Sequence, residues 1–569
     1  MQTTYLLGID AGGTHTDGVV VEQEDAKVTI LAEAKVSTDH NNLTNSMDEV
    51  LEALQAKLAP DILKKVTQVS LGTTLAVNAL VQGKTDPVGL LLTAGPGLSP
   101  KRFVLDTPYM IVPGGCDHRG VEVTPLNTTN VPKTLEHWMA QGIKSVACVG
   151  KFSPRTTAHE QALGECCAKA GLNYTLGHRL SGVLNFPRRI ATAYYNAAVQ
   201  RIQNSFLDAV VATLEKFQIQ ASVRLLKADG GAIPLELART EPVQSILSGP
   251  AASVLGIMAL CPEVDQGVSL LLDVGGTTTD IAVIINGSPV LDRDGMLLNG
   301  RRTLVRALAA NSIGVGGDSQ ISVKEATVKV GPTRLGPAMA FGGDTPSLTD
   351  ALNVLELGVA GDRQKSKEGI EKLAEKAHMS CAELCQKALE SAVSQIDAAS
   401  KALIDHINAH PIYTLAQLRT HNKITLDRVI LVGGPAPCLK EALASQIKLP
   451  VLLPQEFAVA NAIGACLTSP TESLEVYADT GKGVLQAPKL GHSEKIRSTM
   501  TQHEVEQRAL ELLQDYMAKH ASLASSCEIL ESHLFATLND FGRSSKDMRV
   551  TCQAIPGILA RPTRANCAL

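Results

Sequence analysis

Aromatic residues make up only 3% of this 569-residue chain, and Trp138 is its single tryptophan. So few rings argue against the stacking platforms that hold single-stranded nucleic acids or sugars. Basic blocks are missing too: 52 Lys and Arg stand scattered against 57 Asp and Glu, for a net charge of −5. Nucleic acid is therefore not an expected partner. No apolar run reaches the roughly 18 residues of a membrane span. The N-terminus enters a strand pattern without the basic and apolar stretches of a secretory leader. The twelve cysteines contain no C-x-x-C pair, so no zinc ribbon or thioredoxin-type site is indicated. Most are expected to be buried reduced thiols of a cytoplasmic protein. There is no H-E-x-x-H, no G-x-S-x-G, no G-x-x-x-x-G-K-[ST] and no G-x-G-x-x-G. Those absences exclude the usual zinc hydrolase, nucleophile elbow, P-loop and dinucleotide fingerprints. With 44% hydrophobic and 19% charged residues, the composition is that of a globular protein long enough for two to four domains.

What the chain does contain is one motif written twice. Asp10-Ala11-Gly12-Gly13-Thr14-His15-Thr16-Asp17 and Asp273-Val274-Gly275-Gly276-Thr277-Thr278-Thr279-Asp280 both read D-x-G-G-T-x-T-D between apolar stretches. A strand ending in Asp puts a carboxylate at the mouth of a sheet. The Gly-Gly turn that follows carries no Cβ, so its backbone N–H groups can approach a phosphate. The threonine hydroxyls add donors, and the aspartates can hold Mg²⁺, usually through water. Plain Gly-rich hairpins are the competing reading of either copy alone; the duplication favours two phosphate loops. Gly12, Gly13, Thr14, Gly275, Gly276 and Thr277 are thus the expected phosphate cradle, with Asp10 and Asp273 as Mg²⁺ holders. Asp10, Asp273, Thr14 and Thr277 are the expected catalytic set.

Two more Gly-rich turns follow: Ile313-Gly314-Val315-Gly316-Gly317-Asp318-Ser319 and Val429-Ile430-Leu431-Val432-Gly433-Gly434-Pro435. After two phosphate loops, they are where an adenosine would lie, so Gly316, Gly317, Gly433 and Gly434 are expected to line it. Asp318 would meet a ribose hydroxyl or a metal, or cap a helix. This order resembles the actin-like ATPase superfamily.

Alternating strands and helices with short turns predict α/β sheets with helices on both faces. Strands are expected at 5–10, 18–23, 28–36, 67–71, 88–92 and 145–149, and helices at 42–58, 75–82, 188–216 and 456–467. A helical stretch at 366–409 should break near Ala377-His378. Residues 471–495 read as a linker, followed by a helix at 501–518 and strands near 526–535 and 548–554. The expected fold is α/β: two duplicated actin-like, that is ribonuclease H-like, lobes at 1–185 and 186–470 around a nucleotide cleft. A small C-terminal α+β domain follows the linker within 471–569.

The segments between the loops carry a narrower resemblance. Leu71-Gly72-Thr73-Thr74-Leu75-Ala76-Val77-Asn78, Pro187-Arg188-Arg189-Ile190-Ala191-Thr192-Ala193-Tyr194-Tyr195-Asn196, Ala228-Asp229-Gly230-Gly231, Leu247-Ser248-Gly249-Pro250-Ala251, Val330-Gly331-Pro332 and Phe341-Gly342-Gly343-Asp344 occur in order. As a set the chain resembles the A-type subunit of the hydantoinase/5-oxoprolinase family, which includes acetone carboxylase subunits. It departs from the common family form in Asp318, where a third glycine is usual, and in a shorter portion after residue 475. The resemblance implies an ATP- and Mg²⁺-dependent hydrolase that activates a cyclic amide, such as a hydantoin, 5-oxoproline or a lactam, on its carbonyl oxygen. It implies a homo- or hetero-oligomer and a separate B-type subunit as a possible partner. A small-molecule kinase and a chaperone-like regulatory ATPase use the same loops and stay open as alternatives.

Around the cleft, Thr73, Thr74, Asn78, Asn196 and Asp229 are candidate substrate contacts. Helix capping is the competing role for the two threonines. His15 would donate to a phosphate or point away. Asp17 and Asp280 would position water or Mg²⁺, or cap the hairpins.

Overall fold

A computed structural model describes residues 3–24, 27–39, 43–292, 294–325, 327–358, 360–409, 423–521, 526–538, 542, 544–563 and 567–568. The first lobe is built on β1 (Thr3–Ala11), β2 (His15–Glu24), β3 (Lys27–Ser37), β4 (Val66–Thr73) and β5 (Ser222–Leu226), in the order β3-β2-β1-β4-β5. β2 runs antiparallel to both its neighbours, while β4 and β5 run parallel to β1. The second lobe repeats this with β6 (Val268–Val274), β7 (Thr279–Ile285), β8 (Ala310–Ile313), β9 (Arg428–Val432) and β10 (Val451–Pro454). Its order is β8-β7-β6-β9-β10, with the same senses of pairing. The fold is therefore the expected duplicated ribonuclease H-like lobe. β1 and β6 are apolar on both sides because each sheet is covered on both faces. Leu7 and Ile9 pack with Met47 and Leu51, whereas Leu6 faces the opposite core with Ala462 and Ile463.

Two helices close that shared core, α1 (Ser248–Leu260) and α2 (Ala460–Leu467). Their small residues let the backbones nearly touch. A Cβ at Gly256 would run into the carbonyl of Ala460, and one at Gly464 into the carbonyl of Ala252. α2 also lies on β1, where a Cβ at Gly8 would strike Ala462 and Cys466. The second lobe's closing helix thus packs on the first lobe's central strand.

The first sheet does not end near residue 185, because β5 joins it after a long excursion. Residues between β4 and β5 form a separate five-stranded sheet: Val88–Ala94, Tyr109–Cys116, Glu122–Thr124, Ser145–Gly150 and Asn173–Leu176. The long helix Phe186–Lys216 bridges the two sheets: Phe186 and Ile190 pack on Leu90 and Leu92, and Phe206 and Leu207 on the first lobe. The expected linker at 471–495 is instead folded. Ser473–Asp479, Val484–Ala487 and His492–Lys495 pair with Cys527–Leu538 and Ser544–Ala554 in one antiparallel sheet. The Gly481, Gly483 and Pro488 that suggested a linker are turn residues between short strands, whose Leu474, Val476 and Ala478 face the helix Gln502–Ala521. The break near Ala377-His378 is present: His378 takes a left-handed conformation (φ 53°) between Arg363–Ala377 and Cys381–Asn408.

A buried ionic cluster ties this C-terminal sheet to the first lobe. Lys489 Nζ lies 2.6 Å from Glu472 Oε1 and 3.6 Å from Glu241 Oε2, and Lys227 Nζ lies 3.2 Å from Asp229 Oδ2. Removing one partner of such a set leaves uncompensated buried charge. Lys489→Ala is expected to lower unfolding free energy by about 3–5 kcal/mol in an equilibrium urea titration. A loss within error would show that water, not protein, surrounds these groups.

Candidate nucleotide cleft

Each motif is a hairpin whose first strand ends in the key aspartate. Asp10 pairs with Asp17 across β1 and β2, and Asp273 with Asp280 across β6 and β7. The turns close alike: Gly12 N–H donates to His15 O at 3.0 Å, and Gly275 N–H to Thr278 O at 2.9 Å. The two turns then meet tip to tip, with the hydroxyls of Thr14 and Thr277 3.4 Å apart. The duplicated loops therefore face one another across a single cleft, as the repeat predicts. A Cβ on Gly13 would meet nothing within 4 Å, so that backbone is open to a ligand.

Each central aspartate has a glycine behind it on the neighbouring parallel strand or just past its end. A Cβ on Gly72 would run into Asp10 Oδ1, and one on Gly433 (φ 99°) would lie 2.8 Å from Asp273 Oδ1. Gly433 thus makes room for a carboxylate, whether or not it also lines an adenosine. Asp10 is 6% exposed, and its Oδ1 is buried with no hydrogen-bond partner. Burial, aided by the negative Asp17 and Asp273, pushes its pKa up to about 7. Burial and Asp273 raise Asp280 to about 7. Burial raises Asp17 to about 6, although Lys35 Nζ donates to both its oxygens at 2.7 and 2.8 Å. Asp273 Oδ2 accepts from Ser253 Oγ at 2.5 Å and from Asn461 Nδ2 at 3.1 Å. Crowded buried carboxylates and one orphaned oxygen fit a cation between the lobes. Among the described residues no three His, Cys, Asp or Glu side chains make a metal cage.

The Hydantoinase/oxoprolinase profile matches residues 189–473, and the Hydantoinase/oxoprolinase N-terminal region profile matches residues 6–171. The chain belongs to the hydantoinase/oxoprolinase family. Similar proteins include caprolactamase subunit alpha of Pseudomonas jessenii, 27% identical over 396 residues, covering 63% of this chain and 55% of that one. The 5-oxoprolinase of Saccharomyces cerevisiae is 24% identical over 412 residues, covering 61% and 31%. The chain thus matches about half of the first relative's length and about a third of the second's. Nucleotide-free acetone carboxylase has the same fold at TM-score 0.74 and 16% identity, covering 98% of this chain and 88% of that one. ATP-dependent caprolactamase from P. jessenii follows at TM-score 0.69 and 19% identity, covering 98% and 88%.

In this family member the third Gly-rich turn has its backbone engaged within the protein. It braces the second phosphate loop: Gly317 and Asp318 N–H donate to Gly275 O and Gly276 O at 2.9 and 2.6 Å. A Cβ at Gly316 would sit 2.7 Å from that loop's backbone. Asp318 instead accepts from Arg334 Nη2 at 3.0 Å and from Ala338 N–H at 3.2 Å. A Cβ on Gly434 would meet nothing within 4 Å, so its backbone is open to a ligand.

Of the candidate substrate contacts, Thr74 and Asn78 lie at the cleft. Thr74 Oγ1 donates to Ala11 O at 3.4 Å and accepts from Asn78 Nδ2 at 3.1 Å. Thr73 is buried and its Oγ1 accepts from Leu75 N–H at 3.1 Å, while the N-cap position of the helix Leu75–Val81 is Thr74, which makes no side-chain cap bond. Asn196 is a structural clasp rather than a substrate contact. Fully buried, it donates to Thr175 Oγ1 and Thr240 O and accepts from Val243 N–H. Asp229 likewise is engaged on both oxygens, by Lys227 and by Gly231 N–H at 3.0 Å. Lys35, Ser253, Asn461 and Arg334 escape the sequence reading because each reaches the cleft from a distant segment without a motif of its own.

A cavity of about 800 Å³ opens elsewhere, between Tyr174, Leu237, Glu241, Lys489 and Tyr516. It contains none of the motif residues, so the cleft and not this cavity carries the functional reading.

The raised aspartates give a pH signature. In the folded state Asp10, Asp17 and Asp280 still bind protons at pH values where an unfolded chain's aspartates, with pKa about 4, have lost them. Their contribution to stability is therefore complete below about pH 4 and is lost as pH rises through about 6 to 7. Metal-free protein in chelator is expected to melt at lower temperature at pH 8 than at pH 5, and Asp10→Asn to flatten that slope. An unchanged slope in the variant would contradict the burial of Asp10.

Proposed function

We propose that this chain is an ATP- and Mg²⁺-dependent hydrolase, or the ATP-binding subunit of one, acting on a small cyclic amide such as a hydantoin, 5-oxoproline or lactam. The observation that carries the reading is the meeting of the two duplicated loops over the orphaned oxygen of Asp10. In it Asp10 and Asp273 hold Mg²⁺ from opposite lobes. The backbones of Gly12, Gly13, Gly275 and Gly276, with the hydroxyls of Thr14 and Thr277, hold the phosphates. Gly433 and Gly434 adjoin the nucleoside. Bound ATP would supply the phosphoryl group that activates a ring carbonyl. The chain's own part is positioning and charge stabilisation, the terms that dominate phosphoryl transfer generally. Asn461 and Ser253 orient Asp273, and Lys35 holds Asp17 off the metal. The organisation into two lobes, with α1 and α2 crossing between them, lets the cleft close over the substrate and exclude water. Thr74 and Asn78 are the substrate contacts that the geometry retains.

The names of the relatives support this choice. They include an ATP-dependent caprolactamase and a 5-oxoprolinase, both names of cyclic-amide enzymes. Caprolactamase subunit alpha, acetophenone carboxylase gamma subunit and acetone carboxylase beta subunit are named as subunits. We read a B-type partner and an oligomeric assembly into this chain for that reason. No helix among the described residues is long and apolar enough to cross a membrane; we propose a cytoplasmic site of action.

The test is ATP turnover with Mg²⁺ and a panel of hydantoin, 5-oxoproline and lactams, with product analysis. A ring compound is expected to stimulate turnover and to appear as its open-chain acid. Asp10→Ala is expected to lower the stimulated rate by about a hundredfold or more. A stable phosphorylated product would replace the hydrolase with a kinase, and turnover stimulated only by a protein would favour a switch ATPase.

A further inference from the structure

The cleft holds many acids and few bases, and the donors of its bases can be counted. A lysine ammonium has three N–H donors and an arginine guanidinium five. Lys35 spends all three of its donors, on Asp17 Oδ1, Asp17 Oδ2 and Ala458 O at 2.7, 2.8 and 2.9 Å. It is a strut between β3 and the approach to α2, and it has no donor left for a ligand. Arg334 spends two, Nε and Nη2, both on the single oxygen Asp318 Oδ2 at 3.2 and 3.0 Å. Among the described residues no acceptor meets its Nη1, and 27% of the side chain stays exposed.

The place of this half-used guanidinium is fixed by its anchor. Asp318 is 7% exposed and follows the turn that braces the second phosphate loop. Its Oδ2 lies 3.0 Å from where a Cβ of Gly276 would be, and that same point is 3.1 Å from Thr14 Oγ1 of the opposite loop. The carboxylate that holds Arg334 therefore stands at the seam where the two loops meet. The charges of both Asp318 and Arg334 also reach His15, inside the first loop. Arg334 itself comes from the loop that follows the strand Thr327–Val330, outside both large sheets.

We infer that Arg334 is the cation that meets the terminal phosphate of a nucleotide in the cleft, held ready by Asp318 until the phosphate arrives. The inference rests on the nucleotide reading of the cleft and adds to it the residue that distinguishes tri- from diphosphate. A guanidinium already oriented by one carboxylate oxygen loses little freedom on taking a second anion, and its planar fork matches phosphate oxygens. Asp318 is thereby the positioning partner of Arg334.

Isothermal titration with MgATP, MgADP and AMP tests this independently of turnover. Arg334→Ala is expected to weaken MgATP binding roughly tenfold or more, the scale of one charge-assisted contact, to weaken MgADP less, and to leave AMP unchanged. Arg334→Lys should recover part of the loss. Asp318→Asn should cost less ATP affinity than Arg334→Ala, because the cation remains. Equal losses for all three nucleotides with a lowered melting temperature would make Arg334 a mere brace of the loop and overturn the inference. So would unchanged affinities in folded Arg334→Ala. If the unaltered protein binds no ATP, the cleft reading itself fails and takes this inference with it.

Discussion

Four aspartates crowd two hairpin ends, and the rest of the cleft is arranged around their repulsion. Asp10 and Asp273 can lie there only because Gly72 and Gly433 leave the space that a Cβ would fill. Burial raises the pKa values of Asp10, Asp17 and Asp280, and the negative charge of Asp273 adds to all three. The protein neutralises this only in part. One lysine is committed to Asp17, and two neutral donors, Ser253 and Asn461, serve Asp273. A buried carboxylate oxygen with no partner is costly, and such sites concentrate where function needs them. The unpartnered Asp10 Oδ1 among these acids is the ground on which a divalent cation is proposed there.

That arrangement depends on how closely the lobes can approach. The Thr14–Thr277 contact belongs to neither lobe alone. It exists because α1 and α2 cross with almost no side chain between their backbones, and because α2 rests directly on β1 at Gly8. Asn461 sits at the start of that same α2, so the residue that orients Asp273 is carried by the helix that joins the lobes. A change in lobe angle would alter the bonding of Asp273.

Much of this was legible in the sequence, for a definable reason. The hairpins announce themselves because a turn that must bare its backbone can use only glycine, flanked by an acid and by hydroxyls, and the chain does so twice. α2 is legible as a run of small residues. What escaped was whatever depends on partners far along the chain. β5 could not be assigned to the first sheet, since a whole inserted sheet separates it from β4. Residues 471–495 read as a linker because their strands are no longer than seven residues and their turns hold glycine and proline. Asn196 and Asp229 look like cleft residues by position, yet burial and full hydrogen bonding make them structural. Arg334, in contrast, sits in an undistinguished Gly- and Pro-rich stretch, and only the geometry brings it to the phosphate loops.

Asp318 shows how a residue's place can be legible while its partners are not. By position it follows a Gly-Gly turn, which suggests a ribose contact. In the fold that turn has its backbone donors spent on Gly275 and Gly276, so it lies against the turn of the second hairpin. An acid at that place would repel a phosphate unless a cation covered it, and Arg334 does so with donors to spare. Together with Lys35, whose donors are exhausted by Asp17 and Ala458, this divides the labour of the two bases. One is fixed in the scaffold and keeps a surplus acid in place. The other is loosely held at the seam of the lobes, where a ligand's charge can compete for it.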